Sequence, residues 1–223
     1  MSQTDTDALS FLASEQIRLL RAGIVWLFAY VLIYSAGFSV IDIYASEESP
    51  WYLVFGIFTW LFGYKLLVGL MQKGGYLSNN SLSGLGVYFG LSLMVGIGAL
   101  IGAVLFLLPG VYLALRWQAS YPFAIATGAG VGDAMKWSWQ KSAAFQRPLF
   151  TTFLPPLLFY CAAFAAFMLY DFNYESVTDA GYALITIGLN LFTAIGFAWF
   201  TLLSVAVYGL LSNRMSDVTQ TFE

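Results

Sequence analysis

The sequence predicts an all-α polytopic membrane protein, a six-helix transmembrane bundle with a cytoplasmic interfacial amphipathic helix, in one domain. Of its 223 residues, 60% are hydrophobic and only 9% are charged, and the mean hydropathy is +0.76. A soluble domain carries about 25% charged residues, so this chain lacks the polar surface that a globule in water needs. About 20 apolar residues of helix cross the hydrocarbon core, and six apolar runs approach or exceed that length.

Each predicted transmembrane helix is an apolar run bounded by a polar or helix-breaking segment. The first follows a polar segment, residues 1–20, that is expected to be cytoplasmic, and Pro50 separates it from the second. The third ends at Pro109-Gly110, a pair that favours a turn, and the fourth is shorter and contains Arg116. The six predicted helices span residues 22–44, 51–71, 84–108, 111–127, 149–170 and 181–211.

The positions of the basic residues predict that both chain termini are cytoplasmic. With six crossings, the loops assigned to the outside carry acidic residues and neither lysine nor arginine. Short loops rich in lysine and arginine stay on the cytoplasmic side of the membrane. An alternative with residues 110–127 as a re-entrant segment leaves five crossings and puts one basic cluster outside. We therefore expect a multi-pass protein of the bacterial cytoplasmic (inner) membrane.

Residues 133–147 are predicted to form a basic amphipathic helix in the cytoplasmic interface. Lysine and arginine side chains on such a helix reach lipid phosphates, and tryptophans lie at the level of the head groups. Each basic side chain near an anionic leaflet contributes about 1 kcal/mol. Membrane lipids are the expected contact, and docking of a protein partner or a second copy of the chain is the alternative. The side chains concerned are Lys136, Lys141, Arg147, Trp137 and Trp139.

Arg116 lies inside an apolar run, where a charge costs at least about 2.5 kcal/mol. It should therefore face the bundle or water and have a partner. Asp42, near the outer end of the first predicted helix, is the expected partner, and Asp171 or Asp179 would substitute. A structural ion pair and a site for an anion or lipid head group both remain open. Asn190, midway in the sixth predicted helix, is expected to form interhelical hydrogen bonds.

No catalytic, cofactor-binding or metal-binding set is predicted from the sequence. The chain contains no histidine, the commonest general base and metal ligand. Gly130–Asp133 matches the GxGD motif of intramembrane aspartyl proteases. Tyr170-Asp171 matches the YD motif that carries the second aspartate of those proteases. The predicted topology, however, puts Asp133 and Asp171 on opposite sides of the membrane, too far apart to share a proton. We therefore expect a protein that is not an enzyme, with no cofactor and no nucleic-acid partner.

Three short motifs carry a resemblance to a known family. Residues 108–113 read LPGVYL, residues 134–139 read AMKWSW, and AVYGLL surrounds Tyr208. These segments resemble the glycerophosphoryl diester phosphodiesterase membrane-domain family and the related YciC-like proteins of bacteria. Two departures are Trp137-Ser138, where that family has Ser-Trp, and Phe145-Gln146 in place of a glycine turn. The resemblance implies a helical membrane protein, and it does not imply phosphodiesterase activity because no such domain is present.

The leading functional hypothesis is a non-enzymatic membrane protein that binds or moves an apolar or amphiphilic ligand, as a transporter does. Broken helices, a buried arginine and the lack of a catalytic set motivate it. The alternative is a membrane scaffold or accessory subunit that docks a protein partner through the basic amphipathic helix.

Overall fold

Helices account for all the regular secondary structure in residues 3–46, 48–78, 84–105, 107–172 and 178–220, which the computed structural model describes. In chain order the helices are α1 Gln3–Tyr44, α2 Trp51–Lys73, α3 Leu85–Leu105, α4 Leu107–Trp117, α5 Ser120–Thr127, α6 Val131–Ser142, α7 Gln146–Phe172 and α8 Asp179–Gln220. A short 3-10 turn, Ala143–Phe145, joins α6 to α7. The predicted all-α class is confirmed.

Five helical stretches in the described part of the chain are long and apolar enough to cross a membrane. They are Gln3–Tyr44, Trp51–Lys73, Leu85–Gly102, Val131–Met168 and Asp179–Ser212. Their surfaces expose large apolar side chains such as Val25, Phe28 and Leu184, which suits contact with lipid better than contact with water. These helices support the prediction of a membrane protein. The six crossings, the side of the membrane on which each loop lies and the type of membrane stay predictions.

The chain divides into two compact units. The first comprises Met1–Ala22, Leu67–Phe153 and Leu202–Glu223, and the second comprises Gly23–Leu66 and Leu154–Thr201. Helices α3, α4, α5 and α6 belong entirely to the first unit, whereas the other four helices contribute residues to both. The core of the second unit is rich in aromatic rings, with Phe38 lying 4.7 Å from Tyr34 and 4.9 Å from Phe55 between ring centroids.

Helix α1 begins at Gln3, so helix extends through most of the predicted N-terminal segment 1–20 and not only from residue 22. The cytoplasmic location of this segment stays a prediction. Ala8, Leu12 and Leu19 lie at helical spacing and are at most 1% exposed. This apolar face packs inside the first unit and stabilises helix in a segment whose average composition is polar. The sequence prediction was based on the average polarity of this segment and did not consider the helical spacing of its apolar residues.

A small polar cluster ties the start of α1 to the segment after α2. The Glu15 carboxylate accepts hydrogen bonds from Arg18 Nε at 2.7 Å and from the Tyr76 hydroxyl at 2.8 Å. Arg18 also donates to the backbone oxygen of Gly74 at 3.0 Å. Burial of Tyr76 and its hydrogen bond to Glu15 raise the pKa of this phenol. The cluster fixes the rotation of the first turns of α1 within the first unit.

The predicted fourth helix, residues 111–127, consists of two helices in the structure. Pro109-Gly110 does not form the predicted turn, because α4 already begins at Leu107. Proline fits the first turn of a helix, where its missing N–H removes no intrahelical bond. Gly110 instead marks a close approach: a Cβ atom on Gly102 of α3 would lie 2.6 Å from the Gly110 nitrogen. Helix α4 ends at Trp117, and α5 begins at Ser120.

Candidate functional site

The break between α4 and α5 is closed by hydrogen bonds from α6. The last carbonyl groups of a helix have no partner within that helix. Here the carbonyl of Arg116 accepts the Ser138 hydroxyl at 2.7 Å and the Ser142 hydroxyl at 3.4 Å. Both serines are at most 1% exposed. The hydroxyl of Ser120 donates to the carbonyl of Trp117 at 2.6 Å, so both of these carbonyls near the break are satisfied.

Helix α6 returns along α5 because a glycine-containing loop reverses the chain. Gly128 ends α5 with a φ of 72° and donates its N–H to the carbonyl of Ala124 at 2.9 Å. This left-handed conformation is the usual helix C-cap and favours glycine. Small residues at four-residue spacing form the packing face of α6, and aromatic side chains stack beside it. The packing residues are Ala134, Ser138 and Ser142, and the stacked rings, 4.1 Å apart, are Phe123 and Trp137.

The predicted amphipathic helix 133–147 is divided between α6, the 3-10 turn and the first two residues of α7. Lys136, Lys141 and Arg147 are exposed, as predicted for a solvent or lipid face. Of the two tryptophans, Trp137 is half-buried and stacks on Phe123, whereas Trp139 is exposed and has Trp117 as an aromatic neighbour. Whether α6 lies in the cytoplasmic interface stays a prediction.

The guanidinium of Arg116 is held by an aromatic side chain and a carbonyl group. It lies 4.3 Å from the ring centroid of Trp139 and 5.7 Å from that of Tyr112. It also donates a hydrogen bond to the carbonyl of Trp139. Cation–π contacts of this kind stabilise a desolvated cation by about 2 kcal/mol. Only 4% of the residue is exposed, and its Nε–H has no hydrogen-bond partner in the described part of the chain.

The predicted ion pair between Arg116 and Asp42 stays a prediction, because these residues belong to different units. Within the second unit, the amide of Asn190 donates to the Asp42 carboxylate at 2.6 Å and to Ser39 Oγ at 3.4 Å. Asn190 therefore links α8 to α1 by hydrogen bonds. Among the substitute partners, Asp179 is exposed, and the side chain of Asp171 lies outside the described part of the structure.

A cavity of about 490 Å³ lies beside Arg116, between the last turns of α4 and the first turns of α7. This volume is within the range of ligand pockets, roughly 300–1,000 Å³. The lining contains two cations and no carboxylate, with apolar side chains making up much of the rest. Arg147 is exposed, whereas Leu115 and Leu149 are buried. The lining residues are Tyr112, Leu115, Arg116, Gln146, Arg147, Leu149, Phe150 and Thr151.

Gln118, in the break between α4 and α5, adds a second unpaired polar group. It is fully buried, and neither atom of its amide group has a partner among the described residues. An amide buried without a partner costs about 1–3 kcal/mol. The break is therefore more polar than helix packing alone requires.

Apart from the two arginines, the residues that line the cavity were not predicted from the sequence as site residues. The signal that could have indicated them is the position of Arg116 and Arg147, each near one end of a helix. About thirty residues separate the two positions, and only the return of α6 along α5 brings those helix ends together. Among the described residues, no group of three or more aspartate, glutamate or cysteine side chains is arranged to bind a metal ion.

Comparison with known proteins assigns no family to the chain. No family model matches it, and searches of curated proteins and of solved structures found no match. The resemblance to the glycerophosphoryl diester phosphodiesterase membrane-domain family thus remains an expectation from the motifs quoted above.

Proposed function

We propose that this protein is a non-enzymatic membrane protein that binds or moves an amphiphilic ligand at the cavity beside Arg116. The observation that carries the proposal is a buried arginine that lines a cavity whose walls are otherwise largely apolar. One N–H of this arginine is also buried without a hydrogen-bond partner among the described residues. Such a lining is complementary to a molecule with a polar head and an apolar body. Ligand pockets combine apolar walls with a few placed polar groups in the same way.

The cavity supplies both parts of the binding free energy of an amphiphile. Each methylene group that leaves water for an apolar wall contributes about 0.8 kcal/mol, and Leu115, Leu149 and Phe150 provide that wall. Arg116 supplies the polar contact, and its aromatic neighbours already restrict the guanidinium. A preorganised group loses little conformational freedom when the ligand binds.

Binding is a better proposal than catalysis for this cavity. General acid–base catalysis uses a group with a pKa near the working pH. The eight lining residues include no carboxylate, thiol or imidazole, and Tyr112 is the one neutral acid among them. The cavity therefore offers recognition without the pair of acid and base side chains that a reaction of this kind would use.

Filling the cavity should remove the bound ligand. Thr151 lines the cavity and is exposed, and its hydroxyl bonds only the Arg147 carbonyl of its own helix among the contacts described, at 3.0 Å. Thr151→Trp should lower amphiphile occupancy about tenfold, which corresponds to about 1.4 kcal/mol. Native mass spectrometry of the full-length protein, extracted in mild detergent, measures this occupancy.

Leu154→Trp is the matched control, because Leu154 is an exposed residue of the same helix and does not line the cavity. This variant should keep the occupancy of the wild-type protein. Equal occupancy in Thr151→Trp and Leu154→Trp, or a wild-type protein that carries no amphiphile, would contradict the proposed function.

A scaffold or accessory subunit is the second candidate function, favoured by the exposed polar face of α6. Lys136, Gln140 and Lys141 lie on this face. An acidic protein partner would be the complementary occupant. Recovery of one defined protein in stoichiometric amounts, lost in Lys136→Glu with an unchanged amphiphile content, would favour the scaffold.

A further inference from the structure

We infer that the ligand of this cavity is an anionic amphiphile whose head group is an oxyanion, bound between Arg116 and Arg147. The inference rests on the proposed function, because it names the class of ligand at the same site. A phosphate or a carboxylate supplies the shared chemistry, on a lipid or as a free ion.

Charge balance is the first argument for an oxyanion. Two of the eight lining residues are cationic and none is acidic. Within this lining, a neutral or cationic head group would leave the buried Arg116 without a counter-charge. A buried charge that lacks a partner is costly, and a carboxylate or phosphate is the geometric match for a guanidinium. The cavity therefore selects for negative charge.

The free hydrogen-bond donor of Arg116 is the second argument. One terminal nitrogen of the guanidinium already donates to the carbonyl of Trp139, whereas Nε–H is buried and unpaired among the described residues. Charge-assisted hydrogen bonds to oxyanions are about twice as strong as neutral ones. Because Nε has almost no accessible surface, an oxygen of the head group would satisfy this donor after a small shift of the side chains around Arg116.

Arg147 provides a second cation near the free side of the cavity. Its side chain is exposed at the start of α7, where it can meet a different oxygen of the same head group. The hydroxyl group of Tyr112 and the amide of Gln146 are neutral donors in the same lining, whereas the Thr151 hydroxyl already donates to the carbonyl of Arg147. The apolar body of the ligand would then lie against Leu149 and Phe150.

Two simpler explanations make different predictions. If Arg116 is satisfied by the Trp139 ring and carbonyl alone, Arg116→Gln should change stability without changing ligand preference. If surface charge merely attracts anionic lipid, Lys136→Gln should weaken binding as much as Arg147→Gln, because both residues are exposed cations. Only Arg147 lines the cavity.

Paired probes of equal chain length test the inference on the full-length protein in neutral detergent. Oleate is compared with monoolein, and dioleoyl phosphatidylglycerol with dioleoylglycerol, by displacement of a fluorescent fatty acid; inorganic phosphate is the free oxyanion. The wild-type protein should bind at least one anionic probe about tenfold more tightly than its uncharged match, as expected for a charge-assisted hydrogen bond. Arg116→Gln and Arg147→Gln should each remove most of that preference, and Lys136→Gln should retain it.

The outcomes separate this inference from the proposed function. Equal affinity for charged and uncharged probes would contradict the inference of an oxyanion head group and leave the proposal of amphiphile binding intact. An unchanged preference for anionic probes in Arg147→Gln would have the same meaning. Failure of every amphiphile to bind would overturn both. If inorganic phosphate displaces the fluorescent fatty acid as strongly as phosphatidylglycerol does, the cavity binds an oxyanion, and the claim that its ligand is an amphiphile is contradicted. If Arg116→Gln does not fold, the Arg147→Gln variant tests the inference by itself, because Arg147 is exposed.

Discussion

Gly102→Ala is expected to lower the stability of the protein by about 3 kcal/mol, at the upper end of ordinary overpacking. A Cβ atom at this position would lie 2.6 Å from the nitrogen and 2.7 Å from the Cα of Gly110. These are backbone atoms, so no side-chain rotation can relieve the overlap, and α3 and α4 would have to separate. Thermal unfolding of the purified protein in detergent measures the loss.

Gly96→Ala is the matched control in the same helix. A Cβ atom there meets no other atom within 4 Å in the described structure, and alanine favours helix over glycine by about 0.5–1 kcal/mol. This variant should be as stable as the wild-type protein or slightly more so. Equal melting temperatures for the two variants would refute the close approach of α3 and α4 at Gly102.

Ser138→Ala is expected to destabilise the protein by about 1–3 kcal/mol, the cost of a buried polar group left without its partner. The Ser138 hydroxyl donates to the carbonyl of Arg116 at 2.7 Å, and the other donor, Ser142, lies at 3.4 Å. Its loss should loosen α6 from the end of α4. The melting temperature should fall, and amide hydrogen exchange in residues 131–142 should accelerate.

Ser35→Ala separates this effect from the general loss of a buried hydroxyl. Ser35 is also buried, but its hydroxyl donates to the carbonyl of Val31 at 2.7 Å, one turn earlier in the same helix. That carbonyl lies inside α1, so the i→i+4 bond of the helix can satisfy it without the serine. A loss of stability in Ser35→Ala as large as that in Ser138→Ala would contradict the bridging role of Ser138.

The sequence was sufficient to predict the helical class because apolar runs of this length have few other stable conformations in a membrane. Boundaries were harder to predict where local signals oppose tertiary packing. Residues 3–20 have polar average composition, and only burial of Leu12 and Leu19 shows why α1 continues through them. At the break around Gln118, the carbonyl of Arg116 accepts a hydrogen bond from Ser138, a residue more than twenty positions later in the chain.

The candidate site was predictable only in part. Arg116 could be singled out because an arginine inside an apolar run is energetically unusual. Its contacts with Trp139 could not be foreseen, because that tryptophan fits an interfacial helix equally well in the sequence. The cavity required knowledge that α6 folds back along α5. No local pattern of residues 112–116 or 146–151 indicates this return.

Photo-cross-linking with an oleate analogue that carries a diazirine next to its head group tests the central claim most directly. After irradiation of the full-length protein in detergent, peptide mass spectrometry locates the adducts. Binding in the cavity predicts adducts concentrated in residues 112–116 and 146–151, competed by unlabelled oleate and lost in Thr151→Trp. Adducts spread over exposed apolar faces such as that of Val25 and Phe28, with none in the cavity segments, would contradict the claim.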